Sequence, residues 1–300
     1  MYTGDSREVV RKIISAILVT ALIATVICGC GKKREIVPLS DVTLIEDNKY
    51  SCTFEDVYHE FILCLPEETK GAPLVLMLHG AGESAETMKA NTAFDEAAVP
   101  EGYAVCYVTG AVDQAATAPI KGWNAGTVPG ENNDTGFLVS LASYLEDEYK
   151  LDKKRTFAAG FSYGAFMTYR LAVEAPDIFE ATVSVAGVMP MTIWEKRAEK
   201  ASVGIFQISG TNDDIIPRGE ASAIAPPIED VISYWAEADG LELLSEETAG
   251  KSSTLTRYAS GDGAPQVWHL LVDNGYHSWP NESITGIDTN ALILEFLSLW

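Results

Sequence analysis

One serine in this chain stands in a setting that could make it a nucleophile. Gly160-Phe161-Ser162-Tyr163-Gly164 fits G-x-S-x-G, a sharp strand-to-helix turn that lifts a hydroxyl clear of the backbone, with glycine where the chain must bend tightly. A serine hydroxyl is a weak nucleophile until a base takes its proton, and that base needs an orienting carboxylate. On such a turn the partners follow in the order acid, then histidine, each in a loop after a later strand. Of the 4 histidines, His59 and His79 precede the serine and His269 falls inside an apolar strand, which leaves His277 in Asn274-Gly275-Tyr276-His277-Ser278-Trp279-Pro280. The acid comes from Ser209-Gly210-Thr211-Asn212-Asp213-Asp214, where both aspartates sit in the right loop and spacing does not separate them. Charge developing on a carbonyl oxygen needs donors. One is the Tyr163 amide. The other belongs to His79-Gly80-Ala81-Gly82, with Ala81 the candidate and Gly82 the alternative. His79 itself reads as a packing residue.

These residues require a sheet that holds several loops at one end. Segments 50–54 and 57–65 read as a hairpin turning at Glu55-Asp56, a register that sets Cys52 opposite His59 rather than Cys64. Strands at 73–78, 103–108, 155–159, 181–186 and 203–209 then alternate with helical stretches, the signature of a mainly parallel sheet covered on both faces. The helices are expected at 85–98, from a cap at Asp134 through Leu145, from Ser162 to a stop at Pro176, and at 191–200. A helix with Ile228, Val231, Ile232 and Trp235 on one face ends at Gly240; strands at 254–258 and 266–272 and a helix at 287–300 close the chain. The Gly-, Asn- and Pro-rich stretch 121–133 is a long loop of the kind that shapes a substrate site. Trp123 and Trp279 are candidate walls of an acyl or alcohol pocket.

The motifs occur in a familiar order. His79-Gly80-Ala81-Gly82-Glu83-Ser84, Gly122-Trp123-Asn124, Asn133-Asp134-Thr135-Gly136-Phe137, the Ser162 turn, Gly210-Thr211-Asn212-Asp213 with Pro217, and the His277 loop together resemble the polyhydroxybutyrate depolymerase and feruloyl/acetylxylan esterase family. The resemblance runs from about Tyr50 to the C-terminus. It implies an α/β-hydrolase fold, with a mainly parallel central sheet, an N-terminal antiparallel hairpin and helices on both faces. It implies a Ser162, Asp213, His277 triad, since Pro217 stands four residues after Asp213 as the family's acid requires. It also implies secreted serine esterases of feruloyl, acetyl or hydroxyalkanoate esters, working without metal or organic cofactor. Ala81 and Glu83 depart from the Cys, Gly or Gln common in relatives, and Asp134-Thr135-Gly136-Phe137 departs from Asp-Val-Gly-Phe. The same fold and triad also cleave amides, so a peptidase is the rival enzyme, and a surface binding lipoprotein with a vestigial site is the rival outside enzymology.

The N-terminus carries a further expectation. Arg7, Arg11 and Lys12 precede an apolar and small-residue run at 13–27, shorter than the roughly 20 residues of a spanning helix, which reads as an export signal, with an uncleaved N-terminal membrane anchor as the rival reading. Ile27-Cys28-Gly29-Cys30 resembles a lipobox with Cys30 as the lipidated residue. The expected organisation is a signal at 1–29, a tether at 30–41 and a hydrolase domain at 42–300, extracytoplasmic and joined to the membrane through its anchor. The net charge of −22 repels phosphate backbones and excludes nucleic acid as the partner class. Cys52, Cys64 and Cys106 lie in apolar, strand-like segments and read as buried thiols. Neither paired His/Cys spacing nor a phosphate loop is present.

Overall fold

The structure, a computed structural model, describes residues 34–112, 120–127, 130–198, 202–216, 219, 222–261 and 266–300. The expected export signal, Cys30 and Pro217 lie outside these residues. Ile36–Trp300 forms one compact unit.

The unit begins with three antiparallel strands, β1 (Ser40–Glu46), β2 (Lys49–Phe54) and β3 (Val57–Cys64). The β2–β3 turn is Glu55-Asp56, both at positive φ (47° and 64°), the geometry of a two-residue hairpin whose twist matches its strands. Cys52 pairs with His59, as the register predicts. Because β1 starts at Ser40, the tether expected at 30–41 gives up its last residues to the sheet. β4 (Leu74–Leu78), β5 (Ala104–Thr109), β6 (Thr156–Phe161), β7 (Ala181–Val185), β8 (Gly204–Gly210) and β11 (Val267–Val272) are mutually parallel, and apart from the end of β6 and parts of β11 they are wholly buried. Continuous apolar runs such as Leu-Val-Leu-Met-Leu suit a strand covered on both faces. β9 (Glu242–Ala249) and β10 (Ser253–Ala259) add antiparallel strands beyond β11. The order is β1-β2-β3-β5-β4-β6-β7-β8-β11-β10-β9. The sheet is therefore parallel at its centre only, with a three-stranded antiparallel flank on one side and the antiparallel β9–β10 hairpin on the other.

Two apolar layers cover it. On one face pack α3 (Asp134–Tyr149), α4 (Tyr163–Glu174), α5 (Met191–Trp194) and α6 (Ile228–Ala238); on the other pack α1 (Ala85–Thr92), α2 (Phe94–Ala98) and α8 (Thr289–Leu297). A short α7 (Glu282–Thr285) precedes α8. The helix expected at 85–98 is broken at Ala93, whose φ is 45°, and Asp95 beyond the break is held to the Tyr107 hydroxyl through both its amide and its carboxylate. The helix expected at 191–200 is one turn. The cap of α3 is Asn133, whose side chain accepts the Gly136 amide. Asp134 instead lies inside the first turn, where its carboxylate accepts the Asn124 amide.

Candidate active site

Ser162 ends β6 and begins α4 in a conformation (φ 53°, ψ −113°) that L-residues avoid. Close contacts hold it there. A Cβ on Gly160 would lie 2.3 Å from the Gly164 carbonyl, and one on Gly164 would lie 2.1 Å from the Leu78 carbonyl oxygen, so neither position admits a side chain. The Ser162 amide donates to the Val185 carbonyl at 2.9 Å, tying the turn to the neighbouring strand.

The hydroxyl of Ser162 is 2.8 Å from His277 Nε2, and His277 Nδ1 is 2.9 Å from Asp213 Oδ2. Asp213 follows β8 and His277 follows β11, so three loops at one end of the parallel strands converge. The second carboxylate oxygen of Asp213 accepts the amides of Ile215 (3.0 Å) and Ile216 (2.8 Å), so the side chain, 3% exposed, is fixed on both oxygens. Asp214 is exposed, and the pair that spacing left open is separated by geometry. The loops are pinned from below by Gln207, wholly buried in β8, whose amide donates to the Gly187 carbonyl and the Ser209 hydroxyl while its oxygen accepts from Tyr169. A polar residue in the run Val-Gly-Ile-Phe-Gln-Ile-Ser was the sequence signal for this support.

The Tyr163 amide is at the first position of α4, where helical amides have no partner within the helix and the helix dipole is positive. After β4, Gly80 to Glu83 form a turn closed by the Glu83 amide on the Gly80 carbonyl (3.2 Å), with Gly82 at φ 77°. The Gly82 amide is bound to the Lys121 carbonyl at 2.8 Å and the Gly80 amide to Glu83 Oε2 at 2.9 Å. Gly82 is thus unavailable as an oxyanion donor, which favours the Ala81 amide. His79 is buried and neutral, its pKa lowered to about 4 by burial. It accepts the Gly110 amide at Nε2 and donates from Nδ1 to the Gly80 carbonyl, a structural role that steadies the loop.

The tryptophans are not equivalent. Trp123 is 3% exposed, lies against the His79 ring and donates its indole N–H to the His79 carbonyl. It braces the loop from inside, and the wall of a pocket, the role its loop position implied, is not open to it. Trp279 is half-buried on the α8 side with its indole bonded to Asn290. The loop 121–133 reaches Tyr163 instead through Gly122, where a Cβ would sit 3.0 Å from the tyrosine ring, and through Thr127, which donates to the tyrosine hydroxyl at 3.2 Å. Arg170 of α4 holds the same loop through the Asn124 carbonyl. Cys52 and Cys106 are buried free thiols, and Cys64 is a half-buried one.

A serine on a strand-to-helix turn, with loops from later parallel strands gathered above it, defines an α/β-hydrolase. An acetyl xylan esterase from Aspergillus awamori shares this fold at a TM-score of 0.61, with 13% identity over 81% of this chain and 94% of that one. Residues 60–207 match the family described as esterase PHB depolymerase. Feruloyl esterase B of Thermothelomyces thermophilus is 32% identical over 246 residues, covering 70% of this chain and 80% of that protein. The bifunctional acetylxylan esterase/xylanase XynS20E of Neocallimastix patriciarum is 25% identical over 229 residues, 76% of this chain but only 31% of that longer protein. The chain belongs to the esterase PHB depolymerase family and is a carboxylic ester hydrolase.

Proposed function

We propose that the protein is an extracytoplasmic serine esterase that cuts feruloyl or acetyl esters of plant polysaccharides. The observation that carries this reading is the unbroken chain Ser162 Oγ, His277, Asp213, with contacts of 2.8 and 2.9 Å. His277 takes the serine proton as Ser162 attacks the ester carbonyl, and Asp213 holds the imidazole in the tautomer whose Nε2 is free to accept it. The tetrahedral oxyanion is met by the Tyr163 and Ala81 amides. His277 returns its proton to the departing alcohol, and water then releases the acid from the acyl-enzyme by the same route. The relatives named for feruloyl and acetylxylan esterase activity support the choice of acids.

On a short-chain 4-nitrophenyl ester, Ser162→Ala is expected to lower kcat by about 10⁴-fold or more. Equal turnover by the two proteins would sink the assignment. A fluorophosphonate should phosphonylate Ser162 with loss of fluoride, raising the mass by that of the reagent less HF, and a protein that stays unlabelled would be the non-catalytic binder. The export signal and lipobox support an anchored location. Mass spectrometry of the mature N-terminal peptide should find diacylglycerol on Cys30, whereas an unmodified Met1 start would remove the anchor.

A further inference from the structure

The two amides that meet the oxyanion belong to different elements. Tyr163 starts α4, whereas Ala81 stands at the apex of a turn that runs on beyond β4. The packing of Gly164 against the Leu78 and His79 carbonyls fixes where the two elements leave the sheet. Past that point the turn is held by the segment 121–124. The Lys121 carbonyl accepts the Gly82 amide at 2.8 Å and the Trp123 indole donates to the His79 carbonyl at 2.9 Å, so this segment grips the turn on either side of Ala81.

The other end of the segment is tied to the helices. Asn124 gives its amide to the Asp134 carboxylate at the start of α3, and its carbonyl accepts from the Arg170 guanidinium on α4, the helix that begins at Tyr163. Its side-chain nitrogen donates to the Gly130 and Asn132 carbonyls at 3.2 and 2.9 Å. Arg170 is oriented in turn by Glu174, which accepts from Arg170 Nε at 2.7 Å and from the Thr135 hydroxyl at 2.9 Å. Asp134 is 1% exposed, and a carboxylate so buried is costly unless donors such as the Asn124 amide meet it. A closed circuit of contacts therefore runs from Tyr163 along α4 to Arg170, through Asn124 and Trp123, and on to the turn that carries Ala81. Gly122-Trp123-Asn124 and Asn133-Asp134-Thr135-Gly136-Phe137, two motifs that supply no reacting group, meet in it. We propose that this strap sets the spacing of the two oxyanion donors, with Trp123, Asp134 and Arg170 as positioning residues for the tetrahedral transition state. The inference rests on the serine-esterase reading of Ser162, His277 and Asp213.

The test releases the strap at each end. Trp123→Phe removes the indole N–H and keeps a ring, Asp134→Ala and Arg170→Met remove the groups that hold Asn124, and Asp134→Asn keeps an oxygen that can accept its amide. On a short-chain 4-nitrophenyl ester the first three are expected to lower kcat about tenfold with little change in KM, while Asp134→Asn keeps most of the rate. Asp134→Ala and Arg170→Met combined should lose little more than the worse of the two, because both free the same segment. A trifluoromethyl ketone gives a readout that a smaller folded fraction does not move. Ser162 Oγ bonds to the ketone carbon, the serine proton passes to His277 and the carbonyl electron pair becomes an oxyanion, so its Ki should rise in step with the fall in kcat/KM. Losses confined to KM, an unchanged Ki, or full kcat in Trp123→Phe overturn the strap while the esterase stands. Trp123→Phe, the mildest change, decides the matter if the larger ones do not fold. A wild type that hydrolyses no ester and binds no ketone overturns the esterase reading and the strap with it.

Discussion

Glu83 shows how one side chain can set the geometry of chemistry it does not perform. Its Oε2 takes the Gly80 amide and its own amide returns to the Gly80 carbonyl, so the four-residue turn is locked at both ends with Ala81 at its apex. A methyl group placed on Gly80 would lie 3.1 Å from that carboxylate oxygen and 3.4 Å from Ser162 Cβ, so the lock is built against the nucleophile. Removing it should let the Ala81 amide drift from the oxyanion. Loss of a whole oxyanion donor costs about 10²–10³-fold in kcat, and a displaced one costs less, so Glu83→Ala is expected to lower kcat about tenfold with little change in KM. Glu83→Gln keeps an oxygen in place and should restore most of that rate. Steady-state kinetics on one neutral ester decide the matter: equal losses in the two variants, or a loss confined to KM, would show that Glu83 does not position the turn.

The elements differ in how much of themselves they declare in the sequence. β4, β5 and β8 are legible because strands buried on both faces must be apolar throughout, and the Glu55-Asp56 turn is legible because the two runs beside it carry a consistent pairing. β9 escapes notice: it is an edge strand whose Leu243 and Leu244 are both exposed, so no alternation marks an inward face. β1 escapes for the same reason. The break at Ala93 is equally silent, since alanine favours helix and the cause is Asp95 reaching Tyr107 on a distant strand. Within the site, the order of Ser162, Asp213 and His277 was readable because the turn imposes it. The burial of Trp123, the Glu83 lock and the hold of Arg170 on the Asn124 carbonyl were not, because each depends on which loops meet above the sheet. Pairing of loops is a tertiary fact, and spacing along one segment carries no record of it.

At the scale of the whole molecule, stability against acid is a contest between charge and burial. The net charge of −22 makes the folded chain repel itself, so protonation of exposed carboxylates favours folding as pH falls. Asp239 acts in the same direction, because burial raises its pKa to about 6. The buried imidazoles oppose them. Burial lowers His59 and His79 to about 4 from an ordinary 6.5, so the unfolded chain binds protons that the folded chain refuses. Their contribution is fully present above pH 6.5 and is lost as pH falls towards 4. His59, 3% exposed and stacked on Phe137 at 3.6 Å with Nδ1 unpartnered, lies away from Ser162 and isolates the effect. A depression of this size corresponds to about 3 kcal/mol between the two ends of the window. Urea unfolding of wild type and His59→Leu at pH 7 and pH 4.5 should therefore show the variant losing about 2–3 kcal/mol less than wild type over that interval, whatever the substitution costs at neutral pH. Parallel pH dependence in the two proteins would mean that His59 accepts its proton in the folded state as readily as in the unfolded chain, and contributes nothing to the acid limb.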